Sequence, residues 1–351
     1  MKKAGIFDPY LDTLGGGERY AITVAHCLAK KGWQVDVFWD DRGIGKKLEK
    51  RLGIDLKKIS FVPNFFKENF FKKMSLMKNY DLLFYVSDGS IPSLFAKKNL
   101  LHFQVPFHDV GGRKPLNKVK LKRIKTIICN SQLTKRFIDK EYGVQSQIVY
   151  PPVAVKEFKS GEKKNIIFSV GRFSQLIQSK RQDVLIDVFG QIAKELGDWQ
   201  LILAGGTDIG KDEAFDLLKQ KAKKLPVEII ESPPFSELKK LYAQAKIFWT
   251  AAGFGVDEEQ NPEKVEHFGI TTVEAMAAGC VPIVINKGGQ PEIVNHQKDG
   301  LLWKSKEELI EQTLKVARDN KLRERLAAGA KKRAQVFSQE HFCQEIVKLA
   351  Q

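Results

Sequence analysis

The pattern that most limits what this chain can fold into is a strand-then-helix alternation that runs twice, broken by the prolines of "YPPV" at 150–153. The first run opens with the apolar stretch Ala4–Phe7. A loop, the glycines Gly15, Gly16 and Gly17, and helical spacing over Glu18–Lys30 follow. Further strand-like runs stand at Gln34–Trp39, Leu82–Val86, Leu100–Phe103, Thr126–Cys129 and Gln147–Val149. Neither proline of the break can continue a strand or a helix. Beyond it come strands Asn165–Val170, Gln200–Leu203, Val227–Ile230, Ile247–Trp249 and Val281–Ile285. Helices Gln182–Glu195, Asp212–Lys224, Ser236–Ala245 and Thr271–Ala278 alternate with them, and a basic helical tail follows. Such alternation calls for parallel sheets covered on both faces. The expected architecture is α/β, with two doubly wound Rossmann-like domains facing a cleft. The divisions are 1–152, 153–335, and a C-terminal helix at 336–351 that returns to the first domain. Ligands of such sheets sit beyond the carboxyl ends of strands, so the loops that follow strands are where chemistry belongs.

A chain of 351 residues is long enough for two cores. Its net charge of +16 is uneven: residues 1–150 hold 28 Lys and Arg against 14 Asp and Glu, whereas the remaining 201 hold 30 against 28. The basic half is therefore where an anionic partner is met. Cys27, Cys129, Cys280 and Cys343 lie far apart, which suits buried free thiols in a reducing cytoplasm. No HExxH-type spacing points to a bound metal, and none is expected. No N-terminal apolar run and no stretch of about 18 apolar residues suggests export or a membrane span. A cytoplasmic protein is the expectation.

"EHFGITTVE" at 266–274 places two glutamates around a glycine. The polar stretch before it and the helix formers after it put Glu266 in a loop, Gly269 at the turn and Glu274 about one turn inside a helix. Backbone amides near Gly269–Thr271 would then face an anion, favoured by the helix dipole. The carboxylates would face hydroxyl groups. A diphosphate flanked by sugar and ribose hydroxyls is a nucleotide sugar, while an ordinary helix start with solvated acids is the plain alternative. "SVGRFSQLIQSKRQD" adds Arg172 and Lys180 beyond a strand, where cations can hold a departing diphosphate. "GGGERY" leads a backbone loop into a helix start in the other domain.

In this order these segments resemble the retaining GT-B glycosyltransferases of family 4. The likeness spans the whole chain: "GGGERY", "CNSQLTKRFI", "SVGRF", "LKKLYAQAKIFWTAAGFG" and, most specific, "EHFGITTVEAMAAGCVPIVINKGGQPEIV". The resemblance implies that Glu266 supports the donor sugar and Glu274 the ribose. It implies contacts from the amides around Phe268, Gly269, Ile270 and Thr271, neutralisation of the leaving group by Arg172 and Lys180, and approach of Gly16 and Gly17 from the other domain. It implies no metal or other cofactor, UDP or GDP as the expected nucleotide, and retention of anomeric configuration. The wide Arg-to-Lys spacing leaves Arg181 as a substitute for Lys180. The acidic segment Gly253–Val265 is longer than usual, suited to covering the donor or selecting the acceptor. A family histidine on the acceptor side corresponds to His102, with His108 as the rival, and Asn130 and Ser131 are placed to line the cleft. "EHFGI" with "VEAMAAG" also resembles the branch with dolichol-linked mannosyltransferases, so an acceptor glycan or lipid-linked acceptor is expected.

The alternative is a nicotinamide-dependent oxidoreductase, with Asp40 as the ribose-binding acid. Tyr20 stands where its third glycine belongs, and the loop Asp8–Leu14 is too long for its turn. The basic domain carries no nucleic-acid motif, so no nucleic acid is expected as a partner. "NFFKENFFKKMSLMK" at 64–78 reads as one helix with Phe66, Phe70, Met74 and Met77 on a stripe flanked by Lys67, Lys73 and Lys78. Such a stripe either joins the core or meets an anionic membrane surface, which would make the enzyme peripheral on the cytoplasmic face.

Overall fold

A computed structural model of the protein describes residues 1–13, 16–41, 43–173, 178–207 and 213–351. Gly15 of the glycine run, Leu14 and Asp212 lie outside these residues. The chain divides into two units, Met1–Pro152 with Gln339–Gln351, and Val153–Ser338.

In the first unit seven strands form one parallel sheet: β1 Lys3–Phe7, β2 Gln34–Phe38, β3 Ile59–Val62, β4 Leu82–Val86, β5 Lys98–Phe103, β6 Thr126–Cys129 and β7 Gln147–Ile148. Their order is β3-β2-β1-β4-β5-β6-β7. Helices α1 Gly16–Lys30, α2 Ile44–Leu52, α3 Phe70–Met77, α4 Pro115–Leu121 and α5 Gln132–Tyr142 connect them. The strands are apolar almost throughout because both faces are covered, as in Ile6, Val37, Phe84 and Leu100, all at most 1% exposed. β3 was not apparent in the sequence: it is a four-residue edge strand, three residues half-buried and Ser60 exposed, whose short run ISFV is broken by a serine.

The second unit repeats the plan with six parallel strands: β8 Lys164–Val170, β9 Gln200–Gly205, β10 Val227–Glu231, β11 Ala245–Thr250, β12 Val281–Ile285 and β13 Leu301–Trp303. They are ordered β10-β9-β8-β11-β12-β13. Helices α6 Gln182–Leu196, α7 Glu213–Ala222, α8 Phe235–Gln244, α9 Ile270–Ala277 and the short α10 Gln290–Ile293 lie between strands. The basic tail resolves into α11 Lys306–Arg318 and α12 Asn320–Ala334, before α13 Gln339–Ala350.

That last helix belongs to the first unit. Phe342, Ile346 and Ala350 enter the same core as α1, and the Phe342 ring stands edge-on to Tyr20 at 4.8 Å. Cys27 of α1 and Cys343 of α13 are joined as a disulfide, with Cα atoms 5.2 Å apart. The expectation of four free thiols is thereby corrected: residues 316 apart in sequence meet because the terminal helix folds back. Cys129 and Cys280 are free and buried.

The expected helix over 64–78 is also corrected. A 3-10 turn at Phe65–Lys67 ends at Glu68, and Asn69 then caps α3 by accepting the Lys72 amide at 3.0 Å. The break swings Phe66 onto Phe7, with ring centroids 4.4 Å apart, and Met77 is buried, so the stripe does not form. Phe70 and Phe71 instead stand 49% and 75% exposed. No helix among the described residues is long and apolar enough to cross a membrane.

Closing so long a loop removes much freedom from the unfolded chain, which stabilises by about 2–4 kcal/mol in typical proteins. We expect Cys343→Ser to lower the urea unfolding midpoint, and dithiothreitol to lower that of the wild type equally while leaving the variant unmoved. A wild-type midpoint indifferent to reductant would show that packing alone holds α13.

Candidate active site

β8 and β11 are neighbours where the strand order of the second unit turns back. The loops leaving their carboxyl ends therefore share one place, the ligand position of open α/β sheets. The loop after β8 brings Arg172 and Lys180, and the loop after β11 brings Glu266. Lys180 Nζ donates to Glu266 Oε2 at 2.7 Å and to Gln178 Oε1 at 3.0 Å, while Gln178 Nε2 donates to the Val265 carbonyl. The two charged side chains are 19% and 17% exposed. Burial acts to raise the Glu266 carboxyl, but the charge and hydrogen bond of Lys180, helped by Arg172, outweigh it and hold the group below the ordinary carboxylate range. Glu266 is thus ionised at neutral pH.

Arg172 is exposed, and Arg181 is engaged elsewhere. The Arg181 guanidinium donates to both Asp183 oxygens at 3.0 Å and to the Phe254 carbonyl at 2.6 Å. Lys180, not Arg181, is the cation at Glu266.

Gly269 precedes α9 with φ +119°, a left-handed conformation that suits glycine, and a Cβ there would stand 2.6 Å from Gln290 Nε2. Gln290 in turn accepts the Thr272 hydroxyl at 2.9 Å. The amides of Gly269, Ile270 and Thr271 open the helix, where no carbonyl of the helix itself can take them. The Phe268 ring is buried against Phe337, 5.5 Å between centroids, so it anchors the turn and leaves any ligand contact to its backbone. Glu274 lies one turn into α9 and accepts the Tyr242 hydroxyl at 2.9 Å. Burial, then Glu274 itself, pushes the Tyr242 phenol well above its ordinary range, so it remains a donor.

Three contributors in the second unit were not singled out from sequence, Gln178, Tyr242 and His267, and the first unit by itself adds a shifted carboxyl, Asp8. His267 was legible only as the neighbour of Glu266. Its Nε2 atom is buried with no partner among the described residues, and burial pushes the half-buried imidazole down to about 4. Asp8 stands at the carboxyl end of β1, 2% exposed, accepting the Tyr10 amide at 3.0 Å. Burial pushes it up to about 7, with Glu18 and Asp12 adding to the rise. α1 begins nearby at Gly16, and the Gly17 carbonyl accepts from Gln104 Nε2 at 3.4 Å.

The expectation for His102 requires correction. His102 is 0% exposed, stacked on Tyr20 at 3.9 Å between centroids, and its Nδ1–H donates to the Ile128 carbonyl at 3.2 Å. Burial pushes it down to about 3 despite that bond, so it is a neutral core ring that cannot touch a substrate. His108 lies on the surface beside Asp109 at 2.9 Å. Asn130 and Ser131 serve the scaffold: Asn130 Nδ2 holds the Gln104 carbonyl at 2.9 Å, and Ser131 caps α5 by accepting the Thr134 amide at 3.1 Å.

The glycosyl transferases group 1 family matches residues 153–333, and glycosyltransferase family 4 matches 14–157. The chain belongs to the group 1 glycosyl transferases. This glycosyltransferase is 26% identical over 323 residues to an uncharacterized glycosyltransferase of Haemophilus influenzae, covering 86% of each chain. It is 27% identical over 228 residues to the GDP-Man:Man(3)GlcNAc(2)-PP-Dol alpha-1,2-mannosyltransferase of Dictyostelium discoideum, covering 60% of this chain and 43% of that one. The chain thus spans less than half the length of that relative. A Rickettsia africae glycosyltransferase structure superposes with TM-score 0.79 at 19% identity, covering 99% of this chain and 97% of that one. An Anabaena protein in complex with UDP and glucose gives TM-score 0.74 at 20% identity, covering 99% of both. The fold is the two-domain GT-B fold. The oxidoreductase alternative falls with the family assignment, and Asp40 is paired with Lys67 at 2.7 Å.

Two neutral rings, His102 and His267, make the glycosyltransferase acid-sensitive. Unfolding lets His102 and His267 take up protons below their ordinary pKa of about 6.5, so stability present above that pH is lost as pH falls towards 4, by ~1.4 kcal/mol per pH unit for each ring. His102→Phe should flatten the fall in unfolding free energy between pH 6.5 and 5 relative to wild type. An unchanged slope would mean that His102 is already protonated in the fold.

Proposed function

We propose that the protein is a retaining, metal-independent hexosyltransferase that uses a nucleoside-diphosphate sugar, with UDP or GDP as the nucleotide. The observation that carries this reading is the Lys180–Glu266 pair set beside the amide end of α9. Lys180 and Arg172 supply cations for the leaving diphosphate, and the amides of Phe268, Gly269, Ile270 and Thr271 supply donors aligned with the helix dipole. Glu266 meets the sugar hydroxyls and the positive charge that grows as the sugar–phosphate bond breaks. Its interaction therefore strengthens towards the transition state. Glu274, held by Tyr242, takes the ribose hydroxyls. The acceptor hydroxyl attacks on the face that the diphosphate leaves. With positive field already supplied by side chains and backbone, a divalent cation has no task left to perform.

Calorimetric titration of UDP and GDP in EDTA should show binding, weakened in Glu274→Ala by about 1.5–3 kcal/mol for lost bonds to a charged group. Glu266→Ala should keep most of the affinity and lose turnover. Binding that appears only after magnesium or manganese is added would sink the metal-free reading.

A lipid-linked acceptor at an anionic membrane surface is a second element of the proposal, carried by Phe70 and Phe71. Both rings face solvent in the basic unit, with the exposed Lys72 and Lys78 and the half-buried Lys73 on the same helix or at its end. Phe70 contacts Phe95, whose ring lies under the Arg123 guanidinium at 4.6 Å. Aromatic rings among cations suit an interfacial site, where each basic residue adds about 1 kcal/mol. Sedimentation with anionic vesicles should be strong and should drop in Phe70→Ser/Phe71→Ser. Equal, negligible binding to anionic and neutral vesicles would point to a soluble acceptor.

A further inference from the structure

The acidic segment between β11 and Glu266 is folded onto the loop that fixes Glu266. Residues 253–265 form successive turns, with Val256 N donating to the Gly253 carbonyl at 3.0 Å and Asn261 N to the Asp257 carbonyl at 2.9 Å. Across from it lies the loop after β12, Lys287–Gly289. Lys287 Nζ donates to the Val256 carbonyl, and Glu258 Oε2 accepts the Gly288 amide at 2.9 Å. The far side of the same loop touches the catalytic carboxylate's own backbone. Gly289 N donates to the Glu266 carbonyl at 2.8 Å, and a Cβ on Gly288, whose φ is +61°, would stand 2.3 Å from that oxygen. A further tie fastens the segment's start, where Arg181 holds the Phe254 carbonyl at 2.6 Å.

We infer that Glu258 is a positioning residue: it clamps the Lys287–Gly289 loop, and through it sets where the Glu266 carboxylate stands. The segment's length then has a physical use, since a shorter connection would not carry a carboxylate across to Gly288. The acceptor it provides takes an amide that otherwise lies beside the Glu266 backbone. Glu258 acts on the loop through the hydrogen bond it accepts from the Gly288 amide. It works through Gly288 and touches no reacting group. The inference rests on the transferase reading only for its kinetic arm.

The test compares Glu258→Ala with Glu258→Gln in the full chain, the glutamine oxygen being able to accept the same amide. In Glu258→Ala we expect hydrogen exchange across 286–290 to quicken and kcat to fall by about tenfold, with the donor KM held within about twofold, since a displaced group costs turnover more than affinity. Glu258→Gln should restore both towards wild type. Exchange unchanged in Glu258→Ala would overturn the clamp. Quickened exchange with unaltered kcat would overturn its hold on Glu266. Equal loss in both variants would assign the effect to charge and overturn the proposal. A wild type that binds no nucleoside diphosphate and transfers no sugar would defeat the functional reading, while the exchange arm would still judge the clamp.

Discussion

The 2.7 Å ion pair between Lys180 and Glu266 gathers the second unit's chemistry into one place. Its partners come from loops that leave adjacent parallel strands, and that adjacency exists only because the strand order reverses between β8 and β11. A pair this sheltered needs support around both ends, because charges taken from water must be compensated by geometry. Gln178 supplies it on the lysine side, bonding Lys180 and the Val265 carbonyl together. On the glutamate side the backbone is gripped by Gly289. The ionised carboxylate and its cation are therefore braced on both sides.

Around that pair the polypeptide arranges charge of one sign with backbone and not only with side chains. Gly269 reaches a conformation that a side chain would strain, and this lets α9 begin at Ile270 with its amides uncommitted. Tyr242, buried and unable to ionise near neutrality, orients Glu274 without adding charge. The result is cations and helix-opening amides gathered in one region, and two acids held at separate stations by different partners.

In the first unit, burial decides roles that residue type alone leaves open. His102 has the right chemistry for a proton carrier, yet Tyr20 and Phe84 stack on it and leave it no surface. Asp8, an ordinary aspartate by composition, is pushed up to about 7 by its burial at the end of β1. The same sealing works across the chain's ends: α13 fills the groove against α1 and is tied there by Cys27 and Cys343.

Much of the fold was legible, because fully covered strands must be apolar and the helices between them must alternate one apolar face with a polar one. β4, β6 and β12 run over Leu82–Val86, Thr126–Cys129 and Val281–Ile285, as their hydrophobicity foretells. The loop, turn and helix stations of Glu266, Gly269 and Glu274 were legible too, since helix starts and stops are local. What the sequence could not carry was anything set by residues distant in the chain. The edge strand β3 lacks an apolar run, and its place comes from pairing with β2. The break at Glu68–Asn69 arises because Phe66 has a core pocket to fill beside Phe7 and Phe38. The choice of Lys180 over Arg181, the disulfide between residues 27 and 343, and the Glu258–Gly288 bond all depend on which loops the sheet order makes neighbours. Local sequence sets backbone preference within a few residues. Only the packed sheet determines which distant side chain lies within about 3 Å of which, the range over which a hydrogen bond acts.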